Sequence, residues 1–216
     1  MAISQELFDK HIKDLVSQRV KHYLFDIIYF INLFSKPIHF LKKKLKFFRN
    51  KKINMGCGAT YLYGWINIDG NPFRKKDMWL DLRSKWPFDN ETISGFVAAH
   101  VIEHLYDEEL EHFGRELNRV LRKGAFVHIE VPSLEILIKK YLIDVDGKEF
   151  NKTCFWYGAH HQIFDGNRLS HYLSKFGFKV EFLELAIKKS KYLTPTELDK
   201  ICLRPEESLL IEAVKI

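Results

Sequence analysis

The sequence predicts an α/β fold built on a mostly parallel sheet. Three observations predict it. Seven short apolar runs of strand length recur along the chain, starting near Ile53, Trp65, Asp77, Ile93, Ala125, Phe178 and Ser208. Segments with helical spacing separate the later runs, and strands alternating with helices give a parallel sheet. A pair of glycines one residue apart, Gly56 and Gly58, directly follows the first run. Glycine reaches φ > 0 without strain and lets a ligand lie close against the backbone.

The chain opens with a helical stretch over residues 3–34. Leu7, Phe8, His11, Ile12, Leu15 and Val16 recur at three- and four-residue spacing, and Val20, Leu24, Ile27, Ile28 and Ile31 continue the stripe. Ser35-Lys36-Pro37 breaks it. From Lys36 to Lys52 there are eight Lys/Arg and no acid, interleaved with Ile38, Phe40, Leu41, Leu45, Phe47 and Phe48. Residues 1–52 therefore read as a basic amphipathic helical arm. Three partners suit residues 36–52: an anionic membrane surface, the chain's own main domain, or a phosphate backbone.

Residues 53–216 form the main domain. Lys52-Ile53-Asn54-Met55 is a buried strand running into the glycine turn. Trp65–Asp69 and Asp77–Asp81 are strands that each end on a carboxylate, and Ile93–Ala99 is a strand that ends at His100. Glu103–Leu121 has helical spacing, closed by Lys123-Gly124 where a helix C-terminus favours cations and glycine. Ala125–Val131 is a strand stopped by Pro132, and Ser133 opens a helix to about Leu142. Phe150–Phe164 is aromatic and irregular. Asp165–Phe176 is a helix stopped by Gly177, followed by strands Phe178–Leu185 and Ser208–Ile216.

Only about ten residues separate Gly56 from the second strand, and about seven separate Asp69 from the third. A parallel crossover needs a dozen or more, usually a helix. One or two crossover helices are therefore expected to be missing. The apolar stripe of residues 3–34, from this chain or a dimer partner, is expected to cover the gap.

Charge is uneven. Residues 1–52 carry twelve Lys/Arg against four Asp/Glu, and residues 53–216 carry 22 against 24, for a total of +6. The basic character belongs to the arm, so it does not make the whole chain a nucleic-acid binder. Three dispersed cysteines, Cys57, Cys154 and Cys202, argue against a disulfide framework and for a reducing compartment. No signal peptide is expected, and the longest apolar-rich run, Tyr23 to Phe34, contains Asp26 and Asn32 and is too short to span a bilayer. The expected location is cytoplasmic, and of the three partners open to the arm an anionic membrane would place it at the inner membrane face.

In an open parallel sheet, ligands bind beyond the carboxyl ends of the strands, where the strand order reverses. Gly56, Gly58, Asp69, Asp81 and His100 all fall at strand ends and should converge there.

Four ordered motifs carry a resemblance. They are Ile53-Asn54-Met55-Gly56-Cys57-Gly58 with Gly64-Trp65-Ile66-Asn67-Ile68-Asp69; Trp86-Pro87-Phe88-Asp89 with His100-Val101-Ile102-Glu103-His104-Leu105; Glu116-Leu117-Asn118-Arg119-Val120-Leu121-Arg122-Lys123-Gly124 with Ile129-Glu130-Val131-Pro132; and Phe155-Trp156-Tyr157-Gly158-Ala159-His160-His161-Gln162. Over about residues 53–185 the chain resembles class I S-adenosylmethionine-dependent methyltransferases, and more narrowly the small bacterial type. The resemblance implies a Rossmann-like, mostly parallel seven-stranded sheet and S-adenosylmethionine as cofactor. It implies cofactor contacts from Met55, Gly56, Cys57 and Gly58, ribose hydroxyls on Asp69, adenine beside Asp81 and Leu82, and the sulfonium end beside His100. It departs at Asn54, where the family usually has an acid.

A hydroxyl acceptor benefits from a general base. His104, His160 and His161 are the candidates, with Glu103 and Tyr157 behind them. Each has a plain structural alternative, at a helix start or within a loop. His160 and His161 are adjacent and lack partners at a ligand spacing, so no metal site is expected. Cys57 reads as a small polarizable filler rather than a nucleophile. The expected acceptor is a small molecule or a surface-glycan or lipid-linked glycan intermediate. Nucleic-acid methylation and an inactive assembly protein of the same fold remain alternatives.

Overall fold

The computed structural model describes residues 48–71, 73–141, 147–151 and 160–216. The expected helix over 3–34, the basic stretch up to residue 47, Cys154, Trp156 and Tyr157 lie outside the described residues.

The described strands are β1 (Lys52–Met55), β2 (Ile66–Asp69), β3 (Met78–Trp79), β4 (Ile93–Ala99), β5 (Leu121–Pro132), β6 (Phe178–Leu185) and β7 (Ser208–Lys215). The described helices are α1 (Asp107–Val120), α2 (Leu134–Tyr141), α3 (Lys148–Asn151), α4 (Gly166–Lys175) and α5 (Pro195–Ile201). The strands form one seven-stranded sheet in the order β3-β2-β1-β4-β5-β7-β6. β3, β2, β1, β4 and β5 pair in parallel, and β7 runs antiparallel between β5 and β6. The chain steps outward from β1 to β3 and then returns to β4 on the other side of β1. The order therefore reverses between β1 and β4, and the turns after these two strands share one edge.

Among the described residues, no helix occupies the connections β1–β2, β2–β3 or β3–β4, one more than the loop lengths suggest. Side chains replace the missing helices. Between β3 and β4, Trp86 and Phe88 insert into the core, where Trp86 stacks on Phe96 and meets Phe113 of α1 edge-on. Glu116 accepts the Trp86 N–H at 2.7 Å, and Arg119 donates to the carbonyls of Trp86 and Phe88. That ties the loop to α1.

The opposite sheet face carries a second apolar cluster of Leu62, Trp65, Val97, Leu210, Ile187, Leu193, Leu198 and Ile201. The last four come from the β6–β7 connection, which contains α5. Thr194 caps α5 reciprocally with Glu197, and Pro195 fills its first turn. Trp65 donates to Glu197 at 2.8 Å, and Thr60 donates to the Lys200 carbonyl at 3.0 Å. Among the described residues, this connection covers the face beneath the helix-free β1–β2 crossing; the cover expected from residues 3–34 lies outside them.

Several boundaries differ from the sequence reading. The helix expected over 103–121 is split: a 3₁₀ turn, Ile102–His104, precedes α1, at whose start Glu109 accepts the Tyr106 backbone N–H at 2.9 Å. Lys123-Gly124 does not close α1. The helix stops at Val120, and Gly124, at φ +73°, lies in an irregular stretch of β5 whose pairing slips between Ile93 and Gly95. β3 is only two residues long, so Asp81 stands two residues beyond its end.

Candidate active site

The glycine turn leaves β1 with Gly56 at φ +64° and Gly58 at φ +54°, the left-handed region that favours glycine. The two positions differ in their surroundings. A Cβ at Gly56 would lie 2.4 Å from Val101 Cγ2, whereas one at Gly58 would meet nothing nearer than the Gly56 carbonyl at 4.0 Å. Gly56 is needed for packing, while Gly58 faces open space.

Asp69, at the end of β2, clamps this turn. Its Oδ2 accepts the Gly58 N–H at 2.7 Å and its Oδ1 accepts the Asn71 N–H at 2.7 Å. A carboxylate oxygen has two acceptor directions, so each keeps one for a further donor. Asp81 is occupied differently. Arg83 grips its carboxylate in a fork, with Nη2 at 2.8 Å from Oδ2. Its carbonyl accepts from the Ser84 backbone and hydroxyl. The Leu82 carbonyl accepts the Trp86 indole N–H at 3.2 Å.

Met55 and Cys57 are core residues, so only their backbones border the turn. Cys57 Sγ approaches the Lys75 carbonyl at 3.7 Å, and burial, helped by Asp69, pushes its thiol up to about 12. A thiol that far from ionising acts as filler.

Asn54 is buried, and its amide is engaged within the protein. It donates to the Thr60 carbonyl at 2.9 Å and to Asn67 Oδ1 at 3.0 Å. Asn67 accepts the Leu62 N–H and donates to the Leu62 carbonyl and to Asp77. An acid at position 54 would meet two acceptors, so the departure from the family pattern has a local reason.

His100 follows β4 at φ +54°. Its Nδ1 lies 3.2 Å from Glu103 Oε1, and its Nε2 lies 3.0 Å from Ser208 Oγ. Burial pulls its pKa down, but the Glu103 carboxylate, with Glu130 behind it, outweighs this and leaves it raised.

The 3₁₀ turn after His100 presents Glu103 and His104, and the chain near residue 160 folds over them. The backbone N–H groups of His161 and Gln162 both donate to the Glu103 carbonyl, at 2.8 and 3.0 Å. Gln162 donates to Asp107 at 2.8 Å and accepts from Arg168 of α4. This clasp sets the rings of His104 and His160 5.0 Å apart. Burial holds the His160 imidazole down at about 4, so it is neutral at neutral pH. His161 is turned elsewhere and stacks on Tyr106 at 3.9 Å. The structure thus brings two of the three candidate bases together, next to Glu103 and His100. Tyr157 lies outside the described residues.

One polar cluster escaped the sequence reading. His128 is fully buried, with Nδ1 2.8 Å from Glu212 Oε1 and Nε2 2.7 Å from Glu130 Oε1. Burial lowers its pKa, but the two carboxylates prevail and raise it. A His-x-Glu pair in a strand carries no signal that separates a solvent face from a covered one. A hollow lined by Phe48, Lys51, Trp65, Ile66, Asp77 and Met78 opens at the amino-terminal edge of the sheet, away from the glycine turn. It is not part of this site.

No protein-family model matches the chain, and no curated protein matches it. Solved structures do. An S-adenosylmethionine-dependent methyltransferase from Thermotoga maritima shares 17% identity, covers 95% of this chain and 99% of its own, and gives a TM-score of 0.52. One from Archaeoglobus fulgidus shares 18% over 87% and 94%, with a TM-score of 0.50. One from Methanosarcina mazei shares 17% over 78% and 93%, also at 0.50. The chain has the fold that these methyltransferases share.

Proposed function

We propose that the chain binds S-adenosylmethionine on the Gly56–Gly58 turn and transfers its methyl group to a hydroxyl of a small molecule or of a surface-glycan or lipid-linked glycan intermediate. The observation that carries this reading is a single edge holding both halves of a transfer site. A glycine turn is clamped to Asp69 through the 2.7 Å Gly58 bond, and the Glu103, His104 and His160 cluster follows the neighbouring strand. The structural neighbours named above are methyltransferases that depend on this cofactor.

The residues present fit the group. Gly58 faces open space, and the Asp69 carboxylate keeps an acceptor direction on each oxygen for a vicinal diol. The adenine contact assigned to Asp81 and Leu82 would use what Arg83, Ser84 and Trp86 leave of them. What the cofactor supplies when bound is an already activated methyl group. The protein's task is to position the acceptor and accept its proton. On this reading His104 and His160 face the acceptor and share the task of taking its proton; burial keeps His160 neutral and also makes it a weak base. His100, held between Glu103 and Ser208, fixes the 3₁₀ turn that carries Glu103 and His104.

Among the described residues, no helix is long and apolar enough to cross a membrane. The basic arm, Lys36 to Lys52, suits a lipid-linked acceptor presented at an anionic surface. The test is incubation with methyl-labelled cofactor and separate glycan, lipid-linked glycan and RNA fractions. Label in an alkali-stable ether of a glycan fraction supports the reading. Label in RNA alone transfers it to nucleic-acid methylation.

A further inference from the structure

The acceptor side of the turn holds a donor set that the linear sequence conceals. One carboxylate oxygen of Glu103 and one ring nitrogen from each of His104 and His160 lie within 4.8 Å of one another. Glu103 is 1% exposed. Its Oε1 faces His100, and its Oε2 is buried without a hydrogen-bond partner among the described residues. An unpartnered buried carboxylate oxygen is costly unless something satisfies it. A cation between the two imidazoles would do so.

We propose that Glu103, His104 and His160 bind a divalent transition-metal ion, of which Zn²⁺ is the type. Two imidazoles and one carboxylate form a catalytic rather than a closed structural zinc set, because three protein ligands leave a position for a further oxygen. Imidazole with carboxylate also favours zinc and its transition-metal neighbours over Mg²⁺, which prefers oxygen ligands alone. Bonds of about 2.0 Å in a tetrahedron put donors about 3.3 Å apart. The set must therefore close by about 1.5 Å at its widest. His104 is exposed and His160 half-buried, so side-chain rotation can supply this. The buried Glu103 is the fixed point: His100 holds one oxygen, and its carbonyl is clasped by the N–H groups of His161 and Gln162. An imidazole positioned beside a ligating carboxylate is the kind of outer partner that orients metal ligands.

The site stands on geometry alone. Its chemical role rests on the methyl-transfer reading above. With the ion bound, His104 and His160 would be ligands in place of bases: the ion's remaining position would take the acceptor's hydroxyl oxygen, hold it towards the glycine turn, and lower its pKa so that the proton passes to solvent.

The test is titration of the tag-free, chelator-treated 216-residue chain with Co²⁺, followed by its visible d–d absorption, with Zn²⁺ added as competitor. No cofactor or acceptor is present, so the result is independent of whether methyl transfer occurs. Wild type is expected to bind one Co²⁺ per chain with the intense bands of a tetrahedral site, displaced by one equivalent of Zn²⁺. His160→Ala and His104→Asn are expected to weaken binding by about tenfold or more. His161→Ala, whose ring stacks on Tyr106, should keep the bands. Circular dichroism of each variant separates loss of ligation from loss of fold, and the exposed His104 is the substitution least able to disturb folding. Absence of tetrahedral bands in wild type, or bands equally strong in folded His104→Asn and His160→Ala, would overturn the proposal. So would equal loss in His161→Ala.

Discussion

Asn54 donates to Asn67 across 3.0 Å, from one strand to its register partner on the next. This pair stands where a crossover helix is missing. Asn67 then reaches Leu62, Trp65 and Asp77, so a single side chain fixes the loop that carries Gly58 back to β2.

Replacing Asn67 with Ala is therefore expected to cost about 3 kcal/mol, since buried groups on the loop lose their partner together. Asn54→Ala should cost about 1 kcal/mol, because it breaks two bonds at the edge of the same network. Urea unfolding measures both. Equal losses would show that the network is not centred on Asn67.

The two glycines should separate folding from binding. Gly56→Ala combines a left-handed backbone with a Cβ 2.4 Å from Val101, so its melting temperature should fall clearly. Gly58→Ala meets open space and should cost only the backbone term, about 1 kcal/mol. Its main effect should be on cofactor affinity. A Gly58→Ala protein that melts as low as Gly56→Ala would contradict this division.

The His128 cluster predicts a stability window in pH. His128 is raised in the folded state above 6.5, so its contribution is complete below that value and fades as pH climbs through the folded pKa. Glu212 is lowered below 4.5 despite burial, because His128, Ser190 and the Lys191 N–H bind the carboxylate. Its contribution is complete above 4.5 and fades as pH falls through the folded value. Both are at full strength between about 4.5 and 6.5. Denaturant midpoints across pH check the window. Glu212→Gln removes one of the carboxylates that raise His128, so the alkaline decline should become shallower. An unchanged slope would contradict the assignment.

The basic arm predicts adhesion to anionic vesicles. Phe48 is buried against Phe88 and Lys52 opens β1, so a test must spare them. Replacing Lys42, Lys43, Lys44 and Lys46 with Ser should reduce co-sedimentation with vesicles rich in anionic lipid, at about 1 kcal/mol per removed cation. Equal pelleting of both forms would remove the membrane from the account.

Much of the fold was legible because its signals are periodic. β6 and β7 are apolar or alternating runs that the sequence bounds to within a residue, and α4 sits between Asp165 and Gly177, a cap and a stop. α5 went unread although Thr194-Pro195-Thr196-Glu197 is a capping signal, because seven residues give no lasting periodicity. At the site, the glycines and strand-end carboxylates could be read in order. The pairing of His104 with His160 could not. It depends on two backbone N–H groups reaching the Glu103 carbonyl from a segment more than fifty residues away. Asn54 looked like a lost charge, and only its two acceptors show it to be a clasp.

The central claim is that Asp69 and the glycine turn hold S-adenosylmethionine. Isothermal titration calorimetry of wild type and Asp69→Ala with S-adenosylmethionine and S-adenosylhomocysteine tests it most directly. The account predicts one site per wild-type chain for both ligands, with affinity at least about tenfold weaker in Asp69→Ala, the expected cost of losing hydrogen bonds to a charged acceptor. No heat of binding from folded wild type, or equal affinities in the two proteins, would contradict it.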